Sequence, residues 1–287
     1  MKNRVMSNDQ ARILKKTKKT VSFIAKLLLG LLFISPLLVG LLFSFVPNEK
    51  LNGRPPTLGE VFENFTFENY NYVIHAFPVG RFLWNTLVIC IIIIVSSTIL
   101  CSFAAYSFAF FRFPGRALLF NSILVAMMIP GDAIIIANFL NVQKWGMLNS
   151  YTGMVITSLV GGTDIFLIRQ SFMQMPRDLS EAAIMDGCGR IRFLFSIGIP
   201  MAMPAITSLA ITGFIGAYNM YFWPLLVAQT KDMQTIQIGM AMIRGLEVAQ
   251  YGSILAGAVV CAVIPIILFI FAQDFIIKGL STGSVKG

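Results

Sequence analysis

The residues with the clearest chemical potential interrupt a long apolar stretch near position 219. The amide Asn219 stands there with two phenols, Tyr218 and Tyr221. Polar groups in such a setting are costly and are therefore often functional. An amide hydrogen-bonds to hydroxyl groups and aromatic rings pack on the apolar faces of sugars, so these side chains would suit the wall of a solute path. An equally good alternative is that Asn219 hydrogen-bonds to a neighbouring helix.

A second candidate site is the segment 175–190, which reads MPRDLSEAAIMDGCGR. Asp178 and Glu181 have the spacing of a capping box, which predicts a short helix beginning just after Asp178. Small and apolar residues follow, with acids at the edge, and such a surface would suit a groove on a partner protein. On spacing alone, the favoured interpretation is an interfacial amphipathic loop in which Glu181 caps its own helix.

Glycines predict how this segment continues. Gly187 and Gly189 are expected to end the first short helix, because glycine readily takes the left-handed backbone of a helix C-terminus. Residues 190–199 then form a second short helix, which Pro200 is expected to stop. The predicted unit is a helix–turn–helix.

Composition places both candidate sites in a membrane protein. Of the 287 residues, 56% are hydrophobic and 12% are charged, with a mean hydropathy of +0.78. A soluble domain has about 45–50% apolar and about 25% charged residues. The apolar content excludes a disordered chain, and four cysteines are too few for a disulfide scaffold. The predicted class is all-α integral membrane, because lipid offers no partner for free backbone groups.

Six apolar stretches approach or exceed the roughly 20 residues that cross about 30 Å of hydrocarbon. They are residues 27–46, 87–111, 117–140, 151–168, 201–227 and 254–277. The first is interpreted as a retained anchor, because its apolar run is longer than that of a signal peptide.

The distribution of basic residues predicts the orientation. With the N-terminus inside, 16 of the 22 Lys and Arg residues fall in cytoplasmic segments and six in outer loops, as expected from the excess of positive charge on cytoplasmic loops. Both termini are therefore predicted to be cytoplasmic, and the net charge of +9 does not indicate nucleic-acid binding. The predicted organisation is a basic cytoplasmic segment (1–26), a first span (27–46), an extracellular loop (47–86), a five-helix core (87–277) containing a cytoplasmic loop (169–200), and a cytoplasmic tail (278–287).

Four other residues receive less functional weight. Asp164 lies within the fourth span or near its inner end, and a structural role is favoured there. Trp223 is expected in the aromatic belt at the outer boundary. His75, the single histidine, lies in the outer loop and is not expected to bind a metal. Cys188 should stay reduced in the cytoplasm.

The run Glu181-Ala182-Ala183, followed by Asp186-Gly187 and by Ile199-Pro200, resembles the EAA motif of membrane subunits of ABC importers. Other segments resemble the carbohydrate-importer permeases of the maltose-importer type, specifically the second of their two membrane subunits. These segments include Asn85-Thr86-Leu87, Arg112-Phe113-Pro114-Gly115-Arg116, Met128-Ile129-Pro130, Tyr218-Asn219, Trp223-Pro224-Leu225 and the tail from Lys278. The likeness covers residues 85–287.

This resemblance implies a type I ABC importer permease with six transmembrane helices. An extracellular solute-binding protein would deliver a sugar, oligosaccharide, polyol or glycerol-phosphate solute to this chain and a second, different permease subunit. Two cytoplasmic ATPases would bind ATP and Mg and drive transport, since this chain has no G-x-x-x-x-G-K-[ST] phosphate loop. No catalytic, metal-binding or cofactor-binding residue is expected here.

The resemblance also implies roles for particular residues. The expected ATPase-coupling set is Glu181, Ala182, Ala183, Asp186, Gly187 and Pro200. The tail residues Gly283, Val285, Lys286 and Gly287 would reach the interface between the ATPases.

Two rival functions remain on sequence grounds. An ion-coupled secondary transporter or channel would need titratable groups at mid-membrane, and none is securely central. A membrane-embedded hydrolase would need a Ser/His pair or a metal cluster within the spans, and the one histidine lies outside them.

Overall fold

The computed structural model describes residues 8–51, 54–245 and 250–282. The chain divides into two compact units, one of residues 1–73 and 247–259 and one of residues 74–246 and 260–287. The α-helices of the described residues, in chain order, are α1 (Asn8–Phe43), α2 (Asn48–Leu51), α3 (Leu58–Glu63), α4 (Glu68–Ala76), α5 (Val79–Phe110), α6 (Arg116–Met127), α7 (Ile135–Lys144), α8 (Tyr151–Val155), α9 (Gly162–Met173), α10 (Arg177–Met185), α11 (Arg190–Phe193), α12 (Ile199–Tyr218), α13 (Phe222–Val227), α14 (Ile236–Arg244) and α15 (Tyr251–Thr282). No strand occurs among these residues.

Within the described ranges, four helices are long and apolar enough to cross a membrane: Thr17–Phe43, Val79–Phe110, Arg190–Tyr218 and Tyr251–Gln273. Two further candidates are helix pairs bent at a short break, so that up to six spans result if each bent pair counts as one. The predicted all-α membrane fold is confirmed. The predicted span boundaries shift by as many as eleven residues, at the start of the fifth span. Several spans begin before the apolar stretch, because a helix continues wherever its backbone hydrogen bonds can continue.

The first unit contains the first span and the short helices that follow it. Helix α1 has 36 residues and is about 54 Å long at 1.5 Å per residue, so it extends well beyond a hydrocarbon core. It begins at Asn8, within the segment predicted to be a separate basic region. The expected loop 47–86 holds α2, α3 and α4 and ends early, because α5 begins at Val79.

A capping box that sequence analysis overlooked begins α3. The Thr57 side chain accepts from the Glu60 backbone N–H, and the Glu60 side chain accepts from the Thr57 backbone N–H. The Arg54 guanidinium donates to the same carboxylate, with Nη1 3.1 Å from Glu60 Oε2. Hydrogen bonds from Arg54 and then from Thr57 lower the pKa of Glu60 to about 2, so this carboxylate stays ionised at any physiological pH.

The second unit is organised around α5, which packs most extensively against α9 and α12. A cluster of buried residues joins these helices at the end of the bundle that carries α10. Its members are Cys101, Ala105, Tyr106, Ile165, Ile168, Phe172, Ala183, Phe193, Leu194, Ala202 and Ile206. The cluster contains both small residues and aromatic rings. Small residues let helices approach closely, and the rings fill the space between them.

Two of the predicted spans are broken rather than continuous. The predicted third span, 117–140, consists of α6 and the Gly131–Lys144 segment, bent by 91°. Pro130 precedes the 3₁₀ turn Gly131–Ile134 and cannot donate a backbone hydrogen bond to α6. The predicted fourth span, 151–168, consists of the Tyr151–Ser158 segment and α9, bent by 51°.

The fifth span differs from the prediction at both ends. Pro200 does not stop a short helix, since Arg190–Tyr218 is one continuous helical span. The missing N–H of Pro200 is accommodated next to a π-helical turn, Leu194–Gly198, where Ile199 N–H donates to the Leu194 carbonyl. At the other end the helix stops at Tyr218, nine residues before the predicted boundary, and α13 begins at Phe222.

Candidate functional site

Helix α10 contacts the bundle through one face and is exposed on the other. Ala183 is 6% exposed and belongs to the buried cluster together with Tyr106 of α5 and Phe193 of α11. Ile184 and Met185, in contrast, are 73% and 82% exposed. The other helix residues predicted to act here, Glu181, Ala182 and Asp186, are also exposed. A small buried side chain thus holds the helix against the spans while the rest of the motif is accessible.

The turn after α10 has the hydrogen bonds of a Schellman motif. Gly187 has a φ of +68°, which is the left-handed region that glycine occupies without a Cβ penalty. Its N–H donates to the Ile184 carbonyl at 3.0 Å, and the N–H of Cys188 donates to the Ala183 carbonyl at 2.8 Å. The predicted left-handed ending is confirmed at Gly187. Gly189 differs, because it is the extended N-cap of α11 with a φ of −67°.

The predicted capping box between Asp178 and Glu181 is wrong. Helix α10 begins at Arg177, and its N-cap is Pro176, with no side-chain hydrogen bond at the cap. Asp178 already lies inside the first turn, whereas a capping residue needs non-helical φ and ψ. There its negative charge interacts favourably with the positive end of the helix dipole and stabilises the helix. Glu181 therefore has no capping role, and its exposed carboxylate is available to a partner.

A cavity of about 560 Å³ lies beside α10, between this helix and the end of α5. Arg112 and Arg190 contribute to its wall together with Ser180 and Ile184. The Arg190 guanidinium lies 5.0 Å from the centre of the Phe111 ring. Cationic and apolar groups thus line a recess next to the exposed surface of the helix.

Of the three residues predicted to line a solute path, Tyr218 is not placed to do so. It is 2% exposed, and its hydroxyl donates to the Cys261 carbonyl of α15 at 2.7 Å. A buried phenol that is already hydrogen-bonded to the backbone of another span joins helices together. The structure therefore gives Tyr218 a packing role.

Asn219 and Tyr221 lie in the break between α12 and α13. Asn219 is exposed, and its side-chain amide donates to the Ile215 carbonyl at 2.9 Å. Its oxygen accepts a hydrogen bond from the Gln237 amide of α14 at 3.3 Å. Tyr221 is half-buried, with its ring edge-on to Phe222 at 5.3 Å. Sequence analysis missed Gln237, because it belongs to a segment outside the predicted spans.

Trp223 does not have the predicted role in an aromatic belt. It is 7% exposed, and its indole N–H donates to the Met154 carbonyl of α8 at 3.0 Å. Buried indoles normally find such a partner. Trp223 thus ties α13 to the first piece of the broken fourth span.

Asp164 lies in the wall of a cavity, a position that the sequence did not indicate. It lies in the first turn of α9, directly after the break in the fourth span, in the wall of a cavity of about 300 Å³. The Ser97 hydroxyl of α5 donates to its Oδ2 at 2.6 Å. The two residues are 67 positions apart in the chain, so no local pattern could have paired them.

The tail residues Gly283, Val285, Lys286 and Gly287 lie outside the described residues. Their expected contact with the ATPases stays a prediction.

Comparison with known proteins decides the family. Residues 97–283 match the family described as the binding-protein-dependent transport system inner membrane component. The chain belongs to this family. It is accordingly a multi-pass membrane permease of an ABC importer, a transport subunit and not an enzyme, and its transport depends on a solute-binding protein.

Three curated members of this permease family are similar over most of their length. An arabinooligosaccharides transport system permease protein of Halalkalibacterium halodurans is 32% identical over 85% of this chain and 88% of its own. A trehalose/maltose transport system permease protein of Thermococcus litoralis is 29% identical over 77% of this chain and 82% of its own. An sn-glycerol-3-phosphate transport system permease protein of Yersinia enterocolitica is 29% identical over 75% and 79%, respectively.

Solved structures support the permease fold. A chain of a bacterial ABC transporter that imports the acidic polysaccharide alginate matches with a TM-score of 0.75 and 22% identity, over 95% of this chain and 99% of that one. A chain of a bacterial alginate ABC transporter in complex with an alginate pentasaccharide-bound periplasmic protein matches with a TM-score of 0.64 and 17% identity, over 92% and 96%.

Proposed function

We propose that this permease forms one half of a translocation path, pairs with a second, different permease subunit, and is driven by two cytoplasmic ATPases. The ATPases bind ATP and Mg, and this chain holds no cofactor of its own. Both termini face the cytoplasm of a bacterium. The asymmetry of basic charge supports this orientation, because 16 of the 22 Lys and Arg residues then lie on the cytoplasmic side.

The proposed solute is a sugar, an oligosaccharide or a related polyol or glycerol phosphate. The printed substrates of the similar permeases support this range, since they are arabinooligosaccharides, trehalose and maltose, and sn-glycerol 3-phosphate. Asn219 and Tyr221 contribute to the path at the break between α12 and α13. Their amide and phenol suit the hydroxyl groups and apolar faces of such solutes.

The coupling proposal rests on one observation: one face of α10 packs against the bundle and the other face is exposed. Ala183 is buried against the spans, whereas Ile184 and Met185 are exposed. An ATPase that receives these two side chains in a groove can push on α10, and the push reaches the spans through Ala183. The Schellman turn at Gly187 sets the direction in which the chain leaves this contact and continues into α11 and the π-helical turn before Pro200.

The proposal is tested with Glu181→Lys and Gly187→Pro in the reconstituted complex of permeases, ATPases and binding protein. Lysine reverses the charge that α10 presents to its partner. Proline cannot adopt the φ of +68° at position 187, so it misdirects the turn. Both variants should insert and pair with the second permease, yet uptake should be abolished and ATP hydrolysis should no longer respond to loaded binding protein.

Gly189→Ala is the matched control. Gly189 lies two residues away with a negative φ, and no atom lies within 4 Å of an added Cβ. It should therefore transport normally. Normal stimulation and uptake in both Glu181→Lys and Gly187→Pro would show that α10 is not the coupling element.

A further inference from the structure

The cavity beside Asp164 has a composition that the proposed function leaves unexplained. It lies among α5, α9 and α12, and residues at the break between α8 and α9 contribute to its lining. Hydroxyl side chains of Ser97, Thr98, Thr157 and Ser158 line it. Aliphatic residues complete the wall. Its volume of about 300 Å³ is at the lower end of the range for small-molecule sites.

The polar groups in this wall have unused hydrogen-bonding capacity. An ionised carboxylate has about four acceptor positions, and among the described residues only the Ser97 hydroxyl donates to Asp164. Within the described ranges, the hydroxyls of Thr98, Thr157 and Ser158 make no hydrogen bond to another protein group. Thr98, Ser158 and Asp164 are partly buried and Thr157 is exposed, so these groups are free to bind water or the hydroxyl groups of a ligand.

The position of Asp164 depends on the absence of a side chain at Gly161. A Cβ at position 161 would lie 2.8 Å from Asp164 Oδ2 and 3.1 Å from its Cγ. Glycine thus leaves the space in which the carboxylate turns back over the break and reaches Ser97. Broken spans with irregular backbone are tolerated at membrane depth where they line a cavity, and in transporters they often form binding sites.

The charge of the cavity wall favours uncharged solutes over anionic ones. Asp164 is the one charged side chain among the described lining residues, so an anionic solute would meet an uncompensated like charge. The first turn of α9 would attract an anion through its dipole, but the Asp164 carboxylate already lies there. A carboxylate, several hydroxyls and an aliphatic wall match the hydroxyl edge and the C–H face of an uncharged sugar ring.

We propose that this cavity is a site for one unit of an uncharged polyhydroxy solute, with Asp164 accepting hydrogen bonds from solute hydroxyls. The inference rests on the proposed import function and narrows its solute class. It excludes phosphorylated or carboxylated solutes as the main cargo.

A charge-selective labelling experiment on the reconstituted complex tests the site without knowledge of the solute. Ser158→Cys is introduced in a Cys188→Ala background, because the other three cysteines are buried. The labelling rates of a cationic reagent (trimethylammonium-ethyl methanethiosulfonate) and an anionic one (sulfonato-ethyl methanethiosulfonate) are compared. Each rate is divided by the rate at which the same reagent reacts with 2-mercaptoethanol in solution. The cationic reagent should be favoured about tenfold, and Asp164→Asn should abolish that preference. Thr152→Cys on α8, outside the lining, should show no effect of Asp164→Asn.

The solute class is tested with a panel of maltose, trehalose, an arabinose disaccharide and sn-glycerol 3-phosphate. The solutes that stimulate hydrolysis should be uncharged and should slow labelling of Ser158→Cys. Asp164→Asn and Gly161→Ala should raise the KM for uptake about tenfold, with kcat and the thermal midpoint of the complex nearly unchanged. A purely structural role of Asp164 would lower the midpoint and leave KM unaltered.

Two results would overturn the site. The first is that both reagents label Ser158→Cys equally, or that neither labels it. The second is that sn-glycerol 3-phosphate alone stimulates ATP hydrolysis and protects Ser158→Cys from labelling. A failure of the proposed import function looks different. In that case hydrolysis does not respond to loaded binding protein in the wild-type complex, while the charge preference at Ser158→Cys persists.

Discussion

Tyr218 and Asn219 are adjacent in the sequence, but the structure uses their side chains in opposite ways. Tyr218 is buried with its hydroxyl hydrogen-bonded to α15. Asn219 is exposed at the end of α12, where its oxygen meets the Gln237 amide. One helical position, about 100° of rotation, separates a packing residue from a candidate solute contact.

Substitutions at these two positions should separate stability from transport. Asn219→Leu removes an exposed amide from the proposed path, so uptake should weaken through a higher KM while assembly with the ATPases is retained. Tyr218→Phe removes one buried hydrogen bond, worth about 1 kcal/mol, and should lower the thermal midpoint with little change in KM. Solute-dependent uptake and thermal unfolding of the purified complex measure both. Uptake kinetics of Asn219→Leu that equal wild type at every solute concentration would remove Asn219 from the path.

At the scale of elements, a buried amide fastens the segment before α14 to α5. Asn85 is fully buried and donates to the carbonyls of Asp232 and Gln234 at 2.8 and 2.9 Å. Its oxygen accepts from the Tyr151 hydroxyl at 2.6 Å. The adjacent Thr86 hydroxyl accepts from the Ile236 N–H at 3.0 Å. The Asn-Thr pair thus joins α5 to two other segments, around residue 151 and residues 232–236, that are far apart in the chain.

Asn85→Leu should destabilise this junction strongly. It leaves the buried Gln234 carbonyl without its side-chain donor and removes the hydrogen bond to the part-buried Tyr151 hydroxyl, at a cost of about 2 kcal/mol, whereas the Asp232 carbonyl keeps the Arg81 Nε–H at 3.0 Å. Tyr151→Phe is the matched comparison, because it removes only one of the three hydrogen bonds of Asn85 and should cost about 1 kcal/mol. Thermal midpoints of the purified complex measure the difference. Equal shifts for the two variants would mean that the Gln234 carbonyl finds another partner when Asn85 is replaced.

For the whole molecule, the testable feature is orientation. The predicted arrangement places 16 of 22 basic residues inside, and both termini follow from it. A reporter fused after Gly287 should therefore be active only in its cytoplasmic form, whereas the same reporter inserted in the loop before α3 should be active only in its external form. External activity of the C-terminal fusion would reverse the topology and would place α10 on the side away from any ATPase.

Sequence alone determined the features that depend on local chain properties. Bilayer thickness imposes a minimum length on any span, so runs of apolar residues were enough to predict an all-α membrane protein. The left-handed turn at Gly187 was predictable for a similar reason, since it depends on one residue and its immediate neighbours. The family resemblance rested on short motifs that remain recognisable without a structure.

Local reasoning was less reliable at helix ends. The spacing of Asp178 and Glu181 matched a capping box, but the N-cap is Pro176, two residues earlier than that box requires. Pro200 was expected to stop a helix, yet the preceding π-helical turn absorbs its missing donor and the helix continues to Tyr218. Each outcome depends on how the neighbouring turns adjust, which residue type alone does not specify.

Only the tertiary structure decided which polar and small residues face which neighbours. Ala183 and Met185 both belong to α10, but packing against α5 and α11 buries the first and leaves the second exposed. Asp164 became a candidate solute ligand because α5 and α12, which are distant in the chain, form a cavity beside its carboxylate. The physical reason is that burial and hydrogen-bond partners are set by contacts between segments distant in the chain, whereas helix formation in lipid follows from the local need to satisfy backbone groups.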